Sequence, residues 1–299
     1  MTRPRVGYLG PAGTFSEEAL LRSARADAVE PVALASIYDT VMALRRGTVS
    51  WAVVPIENSL DGSVTVTLDL LADEHGDLEI VGEALLAVRH SLIAAEMVAL
   101  SEIDTIISHP KVPGQCTRLL RGELAHARVE PASSTAEAVR LVVSERQPGR
   151  AALGTRLAAD IYGGTVVREE VQDRADNVTR FVWLARAASP PGQAPPLQAQ
   201  AHTSTGSPPP QKTSVVFWGP GADSPGWLVR CLDEFAKREI NLTKIESRPR
   251  RARLGHYMFF VDLLGSAHEP AVAQALEGLH AICEEVRVLG SYAAGENLS

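Results

Sequence analysis

Long apolar runs are missing from this chain. No stretch approaches the roughly 18–20 apolar residues that a membrane-spanning helix needs. The opening MTRPRVGYLGPAGTF lacks the apolar core of a signal peptide. Cysteine is scarce: Cys116, Cys231 and Cys283 are scattered at no metal-like spacing. An odd count without an export signal predicts reduced thiols in a cytoplasm. No CxxC, HExxH or histidine cluster occurs, so no bound metal is expected. No basic excess occurs either. The net charge is −7, with acid and base mixed along the chain. That argues against a broad nucleic-acid surface but leaves room for a small anion held by the local field of a cleft.

What is present is enough chain for two domains, 299 residues of which 45% are apolar. One segment differs in composition from the rest. Ser189–Gln211, SPPGQAPPLQAQAHTSTGSPPPQ, carries seven prolines in 23 residues and no periodicity, as a linker does. It divides the chain into a body, 1–188, and a tail, 212–299. The body alternates short apolar runs with amphipathic stretches. Strands are expected near Arg5–Leu9, Pro31–Ala35, Trp51–Pro55, Leu78–Val88, Asp104–Ile107, Ala127–Glu130, Ala151–Leu153, Val166–Val171 and Arg180–Ala185. Between them lie helical patterns, including Val112–Arg121 and one opened by Thr14 and Glu17 in capping-box spacing. This alternation predicts an α/β body with a largely parallel sheet, in one or two lobes. The tail reads strand, helix, strand, strand, helix, strand, the ferredoxin-like βαββαβ order.

Polar clusters follow the strands: GPAGTFS after the first, ENSLDGS after Trp51–Pro55, SHP after Asp104–Ile107, then SST and GT. In open α/β folds ligands bind at the carboxyl ends of strands, where helix N-termini favour anions. Any one such cluster is more often a helix cap than a site. The densest is DNVTRF, Asp176–Phe181, polar residues at the mouth of an apolar strand. Buried polar groups there need partners, and Arg180 is a fixed cation suited to a carboxylate. No Ser–His–Asp set, nucleotide loop or metal set stands out. Residue by residue, the sequence leads to a small carboxylate ligand in an α/β cleft.

Five ordered motifs, GPAGTFSEEA, VPIENSLDGSV, SHP…QC, SSTAEAV and VQDRADNVTRF, resemble those of prephenate dehydratases. The tail resembles their regulatory ACT domain through INLTKIESRP and YMFFVDLLG. The resemblance implies a two-lobed, periplasmic-binding-protein-like catalytic body with its site between the lobes, plus a ferredoxin-like ACT domain. It implies conversion of prephenate to phenylpyruvate with loss of carbon dioxide and water, without a cofactor. It implies phenylalanine as effector and an ACT-paired homodimer or homotetramer in the cytoplasm, with no nucleic-acid or membrane partner. Almost nothing precedes Arg5, so no fused chorismate mutase is expected.

By the same resemblance Thr179 is the residue closest to the chemistry, with Glu57 or His109 as further proton donors and Arg180 holding a carboxylate. Thr14, Asn58, Ser59, Ser108, Gln115, Thr155 and Asn177 would position substrate, and Phe181 would pack near its ring. Asn241, Glu246, Ser247 and Arg248, with Gly226 and Leu228, would form the effector site. The chain departs from the family at Trp227, where a small residue is usual and an indole would fill or reshape that site. Lys111–Gly114 departs too, adding a cation and Pro113 near the cleft, and the long linker would loosen coupling between domains. Arogenate dehydratase, and a carboxylate sensor that binds without reaction, remain alternatives.

Overall fold

The computed structural model describes residues 3–25, 27–187, 195–198, 209–220, 224–250, 255–295 and 297–298. The first lobe is built on β1 (Arg5–Leu9), β2 (Glu30–Leu34), β3 (Trp51–Asn58), the short β4 (Gly62–Ser63), β5 (Leu78–Ala87), β11 (Val178–Arg186) and β16 (Asn297–Leu298). The sheet order is β16-β5-β11-β3-β1-β2, with β4 beside β3. Helices α1 (Phe15–Ser23), α2 (Ile37–Arg45) and α3 (Thr65–Leu71) belong to this lobe. The second lobe orders β10 (Thr165–Arg168), β6 (Ser91–Ala94), β9 (Arg150–Gly154), β7 (Thr105–Ser108) and β8 (Arg128–Pro131) in that sequence. It carries α4 (Thr117–Arg121), α5 (Thr135–Glu145) and α6 (Arg156–Tyr162).

The expected two lobes are present, but the sheets are mixed rather than largely parallel. β11 runs antiparallel to both β3 and β5, and β6 antiparallel to β9. The chain leaves the first lobe after β5 and returns at β11, so each lobe gains strands of reversed direction. The two crossing segments bond to each other: Val88 N–H donates to Asn177 O at 2.8 Å, and Val171 N–H to His90 O at 2.8 Å. Strand β6 was not anticipated, since SLIA is a short apolar run close behind another strand. The helix expected over Val112–Arg121 is split into a 3-10 turn, Pro113–Gln115, and the short α4.

The tail forms a four-stranded antiparallel sheet, ordered β13 (Leu242–Pro249), β14 (Tyr257–Leu264), β12 (Gln211–Trp218), β15 (Glu285–Ala293), with α7 (Trp227–Ala236) and α8 (Pro270–His280). One face buries Val215, Phe217 and Leu263 against the helices, which contribute Phe235 and Leu279. The other face joins the core of the first lobe. Val216, Phe260, Leu289 and Tyr292 share a buried cluster with Val54, Leu71, Ile80, Val182 and Leu184.

Most of the predicted linker lies outside the described residues. Its described part is not a free coil. Leu197 bridges to Ala24, and Gln198 N–H donates to Ser23 O at 2.8 Å. No helix among the described residues is long and apolar enough to cross a membrane.

Candidate active site

A cavity of about 420 Å³ opens between the lobes beside the two crossing segments. The β1–α1 turn contributes Thr14, Phe15 and Ser16, and the end of β3 contributes Asn58. The crossing segments and β11 add His90, Asn177 and Thr179, while the second lobe adds His109, Lys111, Gln115 and Ser133–Thr135.

Local sequence explains this convergence. Thr14 caps α1, and Ser134 caps α5 by accepting from Glu137 N at 3.0 Å. Both helices aim their N-termini at the cavity, where free N–H groups and the helix dipole favour anions. Glu17 does not close a full capping box. Its carboxylate instead accepts from Gly13 N at 2.6 Å and from the Tyr8 hydroxyl at 2.9 Å, bracing the turn from inside. Gly13 sits at φ +84°, and a Cβ there would meet Ala158 Cα at 2.8 Å, so only glycine fits without strain.

A continuous amide network lies along the cavity wall. Asn58 Nδ2 donates to Asn177 Oδ1 at 2.8 Å and to Thr179 Oγ1 at 2.9 Å. Asn58 Oδ1 accepts the N–H groups of Leu60 and Asp61 at 2.9 and 3.0 Å, which fixes the amide's orientation. Asn177 Nδ2 donates to Gln115 Oε1 at 3.3 Å, and His90 Nε2 lies 3.0 Å from the same oxygen. That acceptor assigns the proton of a neutral His90 to Nε2. Burial lowers the His90 pKa and so favours this neutral form. Its Nδ1 is buried with no partner. His109 is also pushed down, first by burial and then by Lys111. Lys111 Nζ reaches Asp61 Oδ2 at 3.2 Å, an exposed ion pair joining the two lobes across the cleft.

A β-bulge sets which side chains face this wall. Thr179 pairs with Asn58 and Arg180 with Glu57, but Phe181 pairs with Pro55, so Ile56 is an extra residue on β3. Ala52, Val54 and Ile56 face the core shared with the tail. The bulge sends Glu57 to that same side and releases Asn58 to the cleft. Bulges commonly re-aim side chains next to functional sites.

Of the residues anticipated from sequence, Thr14, Asn58, His109, Gln115, Asn177 and Thr179 line the cavity. Others lie elsewhere. Arg180 does not face the cleft: it is buried between body and tail, held by Glu83, Asp262 and the Tyr292 hydroxyl. Alternation along β11 puts it on the opposite face from Thr179. Glu57 also turns away, with Lys244 Nζ at 3.1 Å and Arg180 Nη1 at 3.5 Å. Phe181 is a fully buried core residue beside Trp183. Ser59 works on the backbone, accepting from Val178 N at 3.0 Å. Ser108 is buried and donates to His109 O at 3.3 Å. Thr155 is buried, caps α6 and donates to Gly13 O at 2.6 Å, tying the second lobe to the β1–α1 turn. Ser16 and His90 were missed. Their sequence signal is weak, a serine inside a helix start and a lone histidine.

In the tail, a cavity of about 350 Å³ is lined by Ser224–Val229, Gly255, Tyr257 and Phe259. Gly226 and Leu228 are there as anticipated, and Ser247 pairs in register with Phe259. Asn241, Glu246 and Arg248 are not among its walls. Asn241 is exposed, Glu246 Oε2 accepts from the Ser63 hydroxyl at 3.1 Å, and Arg248 forks onto both oxygens of Asp69 at 3.1 Å. Trp227 does not plug the cavity. Its indole is buried against Phe217 and Phe259, with Nε1 donating to Ile282 O at 2.8 Å, and forms part of the wall.

The chain matches a family model described as prephenate dehydratase over residues 6–189 and an ACT domain model over residues 221–281. A protein named prephenate dehydratase from Mycolicibacterium vanbaalenii is 38% identical over 306 residues, covering 98% of this chain and 92% of that protein. The crystal structure of a prephenate dehydratase from Arthrobacter aurescens, in complex with L-Phe, superposes with a TM-score of 0.82 at 37% identity, covering 97% of this chain and 90% of that one. GqqA, described as a novel type of quorum quenching acylase, superposes with a TM-score of 0.82 at 25% identity, covering 97% and 98%. With both domains matched in order and such relatives spanning nearly its whole length, the chain belongs to the prephenate dehydratase family.

Proposed function

We propose that the cleft converts prephenate to phenylpyruvate, as a carbon–oxygen lyase, and that phenylalanine bound in the tail lowers this activity. The observation that carries the reading is the Asn58–Thr179 contact at 2.9 Å, set between two helix N-termini. Asn58 donates to Thr179 Oγ1, so the hydroxyl's own hydrogen is free to point at a ligand. Prephenate is a dianion, and the N-termini of α1 and α5 with Lys111 supply its electrostatic complement. The Thr179 hydroxyl hydrogen-bonds the departing ring hydroxyl. The C–O bond breaks, the ring carboxylate leaves as carbon dioxide, and its electron pair aromatises the ring. Overall one proton is consumed and one water is formed. The substrate already holds the driving force, so the reaction needs no cofactor. Charge stabilisation and alignment are what the protein adds.

An acylase would need a nucleophile in contact with a base. Among the described cleft residues no hydrogen bond joins a serine or cysteine side chain to a histidine ring. The tail cavity, with Trp227, Tyr257 and Phe259 in its wall, suits an aromatic amino acid. We read the enzyme as a cytoplasmic homo-oligomer paired through its ACT domains, to be checked by sedimentation. The deciding experiment follows phenylpyruvate from purified protein given prephenate or arogenate, with and without phenylalanine. Product from prephenate that falls with phenylalanine is expected. Turnover of arogenate alone would reassign the substrate, and binding without product would make the protein a sensor.

A further inference from the structure

Strands β3 and β11 carry two neighbouring pairs in register, Asn58 with Thr179 and Glu57 with Arg180. The first pair faces the cleft and the second faces the tail. Arg180 Nε donates to Glu83 Oε2 at 2.6 Å, Nη1 to Asp262 Oδ2 at 2.5 Å, and Nη2 to Tyr292 Oη at 2.7 Å. Asp262 is on β14 and Tyr292 on β15, so two of the three partners belong to the ACT sheet. Ser214 on β12 touches both, Asp262 Oδ1 at 2.5 Å and Tyr292 Oη at 2.6 Å. Glu83 is gripped in turn by Lys212 at 2.7 Å. Every member except Lys212 and Glu57 is buried, and each cation contacts a carboxylate.

We propose that Arg180 is a positioning residue: the ACT sheet holds it through Asp262 and Tyr292, and Arg180 thereby fixes the peptide that presents the Thr179 hydroxyl. A guanidinium with three directional partners cannot shift without losing one. Thr179 is the next residue on a strand hydrogen-bonded on both sides, so a displacement at Arg180 reaches its hydroxyl. Misplacement of a reacting group by about 1 Å can cost about a hundredfold in rate. The tail sheet is then part of the active site's support, and anything that moves β14 against β11 alters turnover.

This rests on the assignment of Thr179 above, and the test separates the two. Full-length Asp262→Asn and Tyr292→Phe are compared with the parent for kcat, KM and thermal midpoint, alone and combined with Thr179→Ala. The expected result is a kcat lower by roughly ten- to a hundredfold with KM little changed, and no further loss when either change is added to Thr179→Ala. A folded Tyr292→Phe with unchanged kcat, or losses that multiply in the combined variants, overturns the proposal. If Thr179→Ala alone leaves the rate intact, the Thr179 assignment falls and takes this inference with it.

A different observation carries a second inference. Cys231 on α7 and Cys283, in the turn before β15, hold their Sγ atoms 3.7 Å apart. Cys231 is sealed in the tail core, whereas Cys283 is partly exposed. We infer that this pair is an oxidative modification site that closes to a disulfide when a hydroperoxide reaches Cys283. Hydrogen peroxide converts the Cys283 thiol to a sulfenic acid and leaves as water. The Cys231 sulfur then attacks the sulfenic sulfur, the S–S bond forms, and a second water leaves. The 3.7 Å separation already places the Cys231 sulfur within reach of the sulfenic sulfur, and the partial exposure of Cys283 makes it the one that peroxide meets first. Cys116, in the other domain, is pushed up to about 12 by burial and serves as an internal control.

The disulfide would tie α7 to the segment whose Ile282 carbonyl holds Trp227, at the edge of the tail cavity. Full-length protein treated with hydrogen peroxide is expected to lose two hydrogens by intact mass and two titratable thiols, and to give a Cys231–Cys283 linked peptide. Cys231→Ser and Cys283→Ser should each prevent this. Unchanged mass, oxygen addition instead of hydrogen loss, or a link through Cys116 overturns it.

Discussion

At the scale of single residues, the direction of one proton organises the cleft. Asn58 cannot accept from Thr179 through Nδ2, so the threonine is left as a donor toward the cavity. Thr179→Ala is expected to lower kcat by roughly a hundred- to a thousandfold, the usual loss for one oriented donor, while Thr179→Ser keeps most of it. Steady-state assays on folded variants check this. His90 gives a pH prediction. Its folded pKa is depressed below the ordinary value of 6.5 by burial, so the unfolded chain binds more protons across that window. Stability is therefore full above pH 6.5 and falls as the pH drops below it. Urea midpoints between neutral and acid pH should show that fall, and His90→Gln should flatten it. His109 is depressed in the same direction and leaves a residual slope of the same sign. The sequence shows that Asn177, Thr179 and Arg180 are out of place at a strand mouth. It does not show which way each points. Arg180 has the charge a carboxylate needs, yet its three partners come from residues 83, 262 and 292, far away in the chain.

At the scale of elements, the β3 bulge and the β1–α1 turn do most of the positioning. Gly13→Ala meets both a left-handed φ of +84° and the Ala158 backbone at 2.8 Å, so it should destabilise the folded state and open the contact with Thr155. A lowered denaturation midpoint with a raised KM is the expected pair of readings. The Lys111–Asp61 pair is exposed and joins the lobes, so KM should rise with salt, and Lys111→Met should remove much of that dependence. Most strands and caps are legible from period and capping residues, as with Thr14 and Ser134. The mixed direction of the sheets is not, because it follows from two crossings between lobes. The bulge is not legible either: nothing in VPIEN marks Ile56 as the extra residue, and without it Glu57 would be assigned to the cleft.

At the scale of the whole molecule, body and tail are one folded object over the described residues. Val216, Phe260, Leu289 and Tyr292 complete the core begun by Val54, Ile80 and Val182. The loosening expected from a long proline-rich linker is thus countered by a shared apolar core and by Lys212–Glu83, Lys244–Glu57 and Arg248–Asp69. Residues 1–188 expressed alone should melt below the full chain, since that core opens to water and Glu83 and Arg180 lose buried partners. Calorimetry on both checks this, with one joint transition expected for the full chain. The proline-rich segment invites the view that regulatory domains are exchangeable parts, traded by recombination at that joint. The face of β11 argues otherwise. A donor tail must arrive with groups equivalent to Asp262, Tyr292 and Lys212 in the same register, or it leaves the buried Arg180–Glu83 pair of its host short of partners. Catalyst and regulator are then inherited as a matched pair, and any successful transplant will have carried its docking strands along.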